Sequence, residues 1–327
     1  VIVGLLALLG AVIVLALFLG GASSIPASEV ARWLSGGDLG DRQLRVEALI
    51  MEYRLPRAVL MAMVGMALAV CGAALQASLQ NPLADPSLLG VTSGASLGAV
   101  GAIVLGFQLR FPLAVPLAAF AAALITLLLI YMIANAAGRG TTAGLLLTGV
   151  ALGSLCSAIV AVLLVSVGDH RVHEIVAWML GSAEGRGWQD LRWAVGPVAI
   201  GCVLLLILAR PIDALALGEE HAIAVGVDVS RTRALVFTAV ALAAGGAVSV
   251  AGPVAFVGLI VPHAARALVG STSARLIPIA ALAGAVLLVM CETVSRMLSR
   301  EVEIPVGIVT ALIGVPFFLV LLIRSSR

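Results

Sequence analysis

The chain has 327 residues, 62% of them hydrophobic and only 11% charged, too few charges to cover a soluble domain of that length. Its 19 basic residues are all arginine, so it lacks the lysine that a G-x-x-x-x-G-K-[ST] loop places on phosphates, and ATP hydrolysis by that motif is excluded. A formal net charge of +2 gives no argument for a nucleic-acid partner.

Apolar runs of about 18 residues or more recur from end to end, each long enough to cross a hydrocarbon core of ~30 Å as a helix. Helix is the default in lipid because it satisfies every backbone N–H and C=O within the segment. The short alternating segments of a transmembrane barrel are not seen. The first run, 1–19, is apolar enough for a signal peptide, but no convincing A-x-A-like cleavage site follows, and it reads as a first transmembrane helix. A polar connection over 20–56 carries Arg32, Arg42, Arg45 and Arg54. Helices are expected next at 57–79, 88–107, 112–134 and 142–167. The connection 168–191 holds Asp169, His170, Arg171, His173 and Glu174, and a helix over 192–209 follows. Residues 210–233 carry Asp213, Glu219, Glu220, Asp228, Arg231 and Arg233. Helices at 234–251, 256–269, 276–298 and 306–323 bring the expected total to ten, in an all-α integral membrane domain spanning 1–327. The span 256–269 is short, because Gly252-Pro253 bends the chain before it and Pro262-His263 lies near its end. Short helices of this kind line cavities in transporters; a packing kink is the other reading.

Small residues such as Gly65, Ala69, Gly72 and Ala73, and again Ala243, Gly245, Gly246 and Ala247, let helices approach closely. Ala67-Leu68-Ala69 followed by Gly72-Ala73, in the second expected helix, is echoed by Ala241-Leu242-Ala243 followed by Gly246-Ala247 in the seventh. An offset of five helices reverses orientation, which suggests an inverted repeat of five plus five. Cys71, Cys156, Cys202 and Cys291 all fall inside apolar spans and read as small packing residues. His170, His173 and Glu174 spell H-R-V-H-E rather than H-E-x-x-H, and no metal site is expected. Glu292 lies deep in the ninth expected helix, where a lone carboxylate is costly; Arg296, one turn on and on the same face, makes a structural ion pair the natural reading. With ten spans both termini share a side. Placing that side in the cytoplasm puts eight arginines there against eleven opposite. The positive-inside rule favours the reverse, so charge does not decide the orientation.

Six ordered segments are more specific. Residues 54–57 read RLPR, 80–98 QNPLADPSLLGVTSGASLG, 145–153 LLLTGVALG, 214–228 ALALGEEHAIAVGVD, 252–263 GPVAFVGLIVPH, and 303–307 EIPVG. Together, from about residue 50 to the C-terminus, these resemble the FecCD family of ABC importer permeases, which includes those for cobalamin, ferric siderophores and haem. The resemblance implies a type II ABC importer permease of ten transmembrane helices with both termini cytoplasmic, in a bacterial inner membrane. It implies a homodimer around a central pathway. It also implies two separate ATP-binding cassette subunits that hold ATP and Mg, and a periplasmic or lipid-anchored substrate-binding protein. No cofactor is expected on this chain. By the same resemblance Arg54, Arg57 and Arg296 dock the binding protein, a task that suits guanidinium because it stays charged and meets carboxylates with paired bonds. Asn81 and Leu83, with Thr141 and Thr142, would form a cytoplasmic gate. Position 143 is alanine where a relative has serine. Residues 210–233 would be the coupling loop, two short cytoplasmic helices joined near Gly218, with Leu217, Gly218, Glu219 and Glu220 against the ATPase.

The pathway walls are expected to be apolar, from the fifth and tenth helices and the segment after Gly252. An ion-coupled secondary transporter is the main rival, but it would place ionisable residues near the bilayer midplane, and the second to eighth helices hold almost none. An intramembrane enzyme needs a nucleophile–base or metal constellation within the spans, and none is legible. The sequence does not choose among ferric siderophore, haem and cobalamin.

Overall fold

The computed structural model describes residues 1–19, 25–87, 89–136, 142–298 and 303–325. Every regular element among them is helical. After α1 (Ile2–Phe18), the connection forms two short helices, α2 (Ala27–Leu34) and α3 (Gln43–Ala48). The chain then passes through a wide π turn at Leu49–Arg54 into α4 (Leu55–Ser78) without a break. Pro56 stands just past that turn; it has no N–H to give the preceding turn, and a widened turn accommodates it. Next come α5 (Val91–Val104), α6 (Ala114–Ala136), α7 (Thr142–Val165), α8 (Asp169–Met179), α9 (Trp188–Ile207), α10 (Ala209–Ala216) and α11 (Glu219–Ala224). The chain closes with α12 (Val229–Ala251), α13 (Val257–Val269), α14 (Ser273–Leu298) and α15 (Val306–Ser325).

A helix stands at each of the ten expected positions, and two short ones meet at Gly218. Among the described residues six helices are long and apolar enough to cross a membrane: the run ending in α4, then α6, α7, α9, α12 and α14. Helices α1, α5 and α13, and the stretch Val306–Val320 of α15, are apolar but shorter. Helices α2, α3 and α8 were not anticipated. The first two shelter a small apolar cluster of their own, in which Val30, Val46 and Ile50 pack with Leu17 at the end of α1.

The core is built on α4 and α12, whose most apolar windows are 83% and 78% buried, while that of α7 is only 17% buried. These two central helices carry the Ala-Leu-Ala and Gly-Ala echo, and they touch where Cys71 Sγ lies 4.0 Å from the Val240 carbonyl oxygen. Glycine makes the tight packing around α4 possible. A Cβ at Gly65 would stand 2.1 Å from the Gly284 carbonyl oxygen of α14, and one at Gly72 1.9 Å from that of Gly258 in α13. No side chain larger than hydrogen fits at either place without a backbone shift.

Candidate functional site

The bundle has two ends with different chemistry. At the end where α4 begins and α14 finishes, three arginines and two carboxylates form one cluster. Arg57 meets Glu303 with two aligned hydrogen bonds, Nη1 to Oε1 at 3.0 Å and Nη2 to Oε2 at 2.7 Å. Its Nε lies 3.3 Å from Glu292, and Arg296 Nη2 lies 2.9 Å from the other Glu292 oxygen. The Glu292 contacts are charge contacts without the alignment of the Glu303 pair. Arg54 donates to the Leu17 carbonyl at 2.5 Å and Arg296 to that of Ala16 at 3.3 Å. Both are carbonyls at the C-terminal end of α1, where the helix leaves acceptors unused and its dipole favours a cation. The cluster thus ties α1, α4, α14 and the start of α15 together.

This placement bears on the expected docking residues. Arg54, Arg57 and Arg296 are 3%, 9% and 3% exposed, with guanidinium groups turned to this chain's own carboxylates and carbonyls. Glu292, itself 1% exposed, faces both Arg57 and Arg296. The i,i+4 spacing showed the Arg296 contact, but neither spacing nor motif showed Glu303 as a partner, since 246 residues separate it from Arg57.

Glu303 sits in the connection before α15. Burial pushes its carboxyl up, but the hydrogen bonds and charge of Arg57, and then the charge of Arg296, outweigh burial and hold it below the ordinary carboxylate range. A depressed value in the folded state means that the pair adds stability above the ordinary glutamate range. That stability is lost as pH falls through the folded value. Acidification from neutral should therefore lower the melting temperature of the parent. Glu303→Gln should melt lower at neutral pH and show a shallower fall with acid; parallel pH profiles for the two would refute the pairing.

Met179 and Leu180 at the end of α8, Pro253 and Ala255, and the α15 face of Ile308, Ala311, Leu312 and Val315 line an apolar cavity of about 630 Å³ that is widely open on one side. The wall holds no charged side chain. Helix α15, the segment after Gly252 and the end of α8 line this cavity; α7 does not reach it. Helix α7 instead presents Leu147, Val150, Leu155 and Val162 on the outside, each more than half exposed.

At the opposite end lie the short helices. Gly218, with φ +121° and ψ 151°, separates α10 from α11 in a conformation that glycine adopts readily. Asp213 Oδ1 accepts from the Ser273 N–H at 2.8 Å, and so caps the start of α14. Gln80 Nε2 approaches the Ala216 carbonyl at 3.4 Å, joining α10 to the loop after α4. In that loop Asn81 Oδ1 accepts from the Leu83 N–H at 2.9 Å, a local turn that fixes the half-buried Leu83. Glu219 pairs with Arg233 at 2.6 Å, whereas Leu217 is 70% exposed and Glu220 is exposed. Thr141 and the side chain of Thr142 lie outside the described residues. The sequence pointed to neither Gln80 nor Asp213, both of which join elements far apart in the chain. Among the described residues no group of three or more His, Cys, Asp or Glu is placed to hold a metal ion.

The sequence model of the FecCD transport family matches residues 7–324. This chain belongs to that family. It is 45% identical over 276 residues to the cobalamin import system permease protein BtuC of Halobacterium salinarum, covering 84% of this chain and 73% of that one. It is 40% identical over 277 residues to the Fe(3+) dicitrate transport system permease protein FecD of Escherichia coli, covering 84% and 85%. A solved metal-chelate type ABC transporter in an inward-facing conformation superposes with a TM-score of 0.86 at 31% identity, covering 99% of this chain and 98% of that chain. The FecCD chain described above is therefore a multi-pass membrane permease of an ABC importer. Relatives of this kind are permease subunits and not themselves enzymes. In this FecCD permease the charged cluster and the α10–α11 pair mark the two ends of the bundle, and the apolar cavity lies between them.

Proposed function

We propose that this permease carries an iron chelate (ferric siderophore or haem) or cobalamin inward through the apolar cavity beside α15. The reading rests on that wall. A passage without charged or closely fitted polar groups grips its cargo loosely, as a conduit must if the cargo is to leave. The cobalamin and iron-dicitrate relatives support these cargo classes.

In this reading the ten apolar helices all count as spans. Helices α4 and α12 are the matching members of an inverted repeat, consistent with their opposite run through the centre of the bundle. The chain lies in a bacterial inner membrane with its termini and the α10–α11 unit in the cytoplasm. Two copies pair through the exposed face of α7 and the free side of α15, so that the two apolar walls face each other. A pair of separate ATPase subunits, which hold ATP and Mg, grip α10–α11 at Leu217, Gly218, Glu219 and Glu220; no cofactor belongs to this chain. The link from Gln80 to α10 carries their movement to Asn81 and Leu83, which with Thr141 and Thr142 form the gate. A binding protein, free in the periplasm or lipid-anchored, docks at the arginine end. There Arg57 offers the direct contact, because the edge it shares with Glu303 is still partly open, at 11% and 25% side-chain exposure. Arg54 and Arg296 support that edge from behind.

Uptake tests the reading. A strain lacking this gene should lose accumulation of one of three labelled cargoes, haem, a ferric siderophore or cobalamin, and regain it when the gene is restored. Unchanged uptake of all three, or uptake abolished by an uncoupler with ATP held constant, would refute it.

A further inference from the structure

The segment joining α12 to α13 touches several other parts of the fold, and at each contact a glycine supplies the room. A Cβ at Gly252 would lie 2.5 Å from the Trp178 carbonyl oxygen. One at Gly307 would lie 3.0 Å from the Pro253 carbonyl oxygen, and one at Gly258 2.6 Å from a carboxylate oxygen of Asp85. One at Gly314 would lie 2.2 Å from Cγ of Phe256. Phe256 itself stands at φ +68° and ψ −16°, the left-handed region that a bulky side chain avoids. Glycine would adopt it freely, so the aromatic side chain must be held there by what it touches.

On one side that hold is fixed. The Phe256 carbonyl accepts from Leu259 and Ile260 N–H at 3.1 and 2.9 Å and so starts α13. Gln76 Nε2 donates to the Gly258 carbonyl at 2.9 Å, fastening the first turn of α13 to α4. On the other side the hold is to a helix able to bend. Gly314 lies two residues before Pro316, which has no N–H for the Leu312 carbonyl. One residue past that proline, the Phe317 ring meets His263 of α13 edge-on, with centroids 5.8 Å apart. Two contacts with α13 therefore flank the weak point of α15. The space beside Phe256, towards Leu287, Cys291 and Thr310, is too narrow for water, so the ring is closely packed on that side as well.

We propose that Phe256 is a positioning residue of the transport cycle: seated on Gly314, it sets the bend of α15 against the fixed α4–α13 unit, and with it the width of the cavity walled by Leu312 and Val315. The proposal rests on reading that cavity as the cargo pathway.

The test uses the assembled transporter in proteoliposomes, with its ATPase and binding protein, offered haem, ferric citrate and cobalamin. The readout is cargo moved per ATP hydrolysed. Phe256→Gly removes the ring and relaxes the backbone; Gly314→Ala pushes the ring from its notch. Each is expected to lower the ratio at least about fivefold, the low end of what coupling between sites is worth. Assembly and ATP hydrolysis should stay near the parent's. Combining them should recover part of the loss, since a notch without a ring has nothing to displace, and Phe256→Leu should keep more of the ratio than Phe256→Gly. A ratio unchanged in both single variants overturns the proposal. So do losses that add in the double variant or that follow a matching loss of assembly. Leu312→Trp separates the underlying reading: if filling the cavity leaves transport at the parent rate, the cavity is not the pathway, whatever Phe256 does.

Discussion

Glu292→Ala is expected to be the most damaging single substitution at the arginine end of the bundle. The carboxylate is 1% exposed and lies within 3.3 Å of Arg57 and 2.9 Å of Arg296. Removing it leaves two buried guanidinium groups to share Glu303, and breaking a buried pair on one side costs about 3–5 kcal/mol. That is a large share of the ~5–15 kcal/mol that holds a typical folded domain together. The variant should accumulate poorly and melt far below the parent in detergent. Glu292→Gln, which keeps shape and an acceptor, should fall between them. Pairing Glu292→Leu with Arg296→Met should recover part of the loss, because replacing both members of a buried ion pair by apolar groups is often neutral. Recovery will be incomplete, since Arg296 also holds the Ala16 carbonyl of α1. A Glu292→Ala protein melting like the parent would mean that the cluster carries little of the fold. Charge reversal at Arg54 and Arg57 would strike the same junction. With both side chains buried, such a variant loses the helix junction before it loses any docking partner.

What the sequence made legible follows from range. Apolar length and proline position are local properties, and they located every expected helix within a few residues; Gly218 likewise separates two short helices as expected. Glu292 and Arg296 share a helix face, so spacing alone brought them together. Arg57 and Glu303 are joined only by tertiary packing, and no local pattern announces that contact. The same holds for Asp213 on α14 and Gln80 on α10. Docking was expected of Arg54, Arg57 and Arg296 by resemblance to the family, and nothing in their own segments shows that all three turn inward. Arg57 meets a carboxylate in the connection before α15 and Arg54 a carbonyl at the end of α1, both far off in the chain; only Arg296 has its carboxylate on its own helix. Helices α2, α3 and α8 escaped because each buries only a few apolar residues among charges, as α2 does with Val30.

The second large effect should appear at the other end. Helices α10 and α11 leave Leu217, Ile223 and Val225 at 70%, 66% and 57% exposure. The surrounding Arg210, Asp213, Glu219, Glu220 and Asp228 place them in water rather than lipid. Apolar side chains held out on a short rigid unit are what a groove on another protein would cover. The unit is also braced from behind, through Asp213 to α14 and Gln80 to α10, so force applied to it reaches both α14 and the loop of Asn81 and Leu83. Replacing Leu217 and Ile223 together by aspartate removes two such anchors. At about 2 kcal/mol each this weakens association roughly a thousandfold. The permease should be purified without its ATPase, with its own melting temperature unchanged, since neither side chain packs in the core. Glu219→Ala should act differently, loosening α11 by removing its tie to Arg233 while leaving the apolar contact in place. An ATPase that still co-purifies with the double aspartate variant at parental yield would show that the subunit grips the permease elsewhere, and the mechanical route through Gln80 would lose its input.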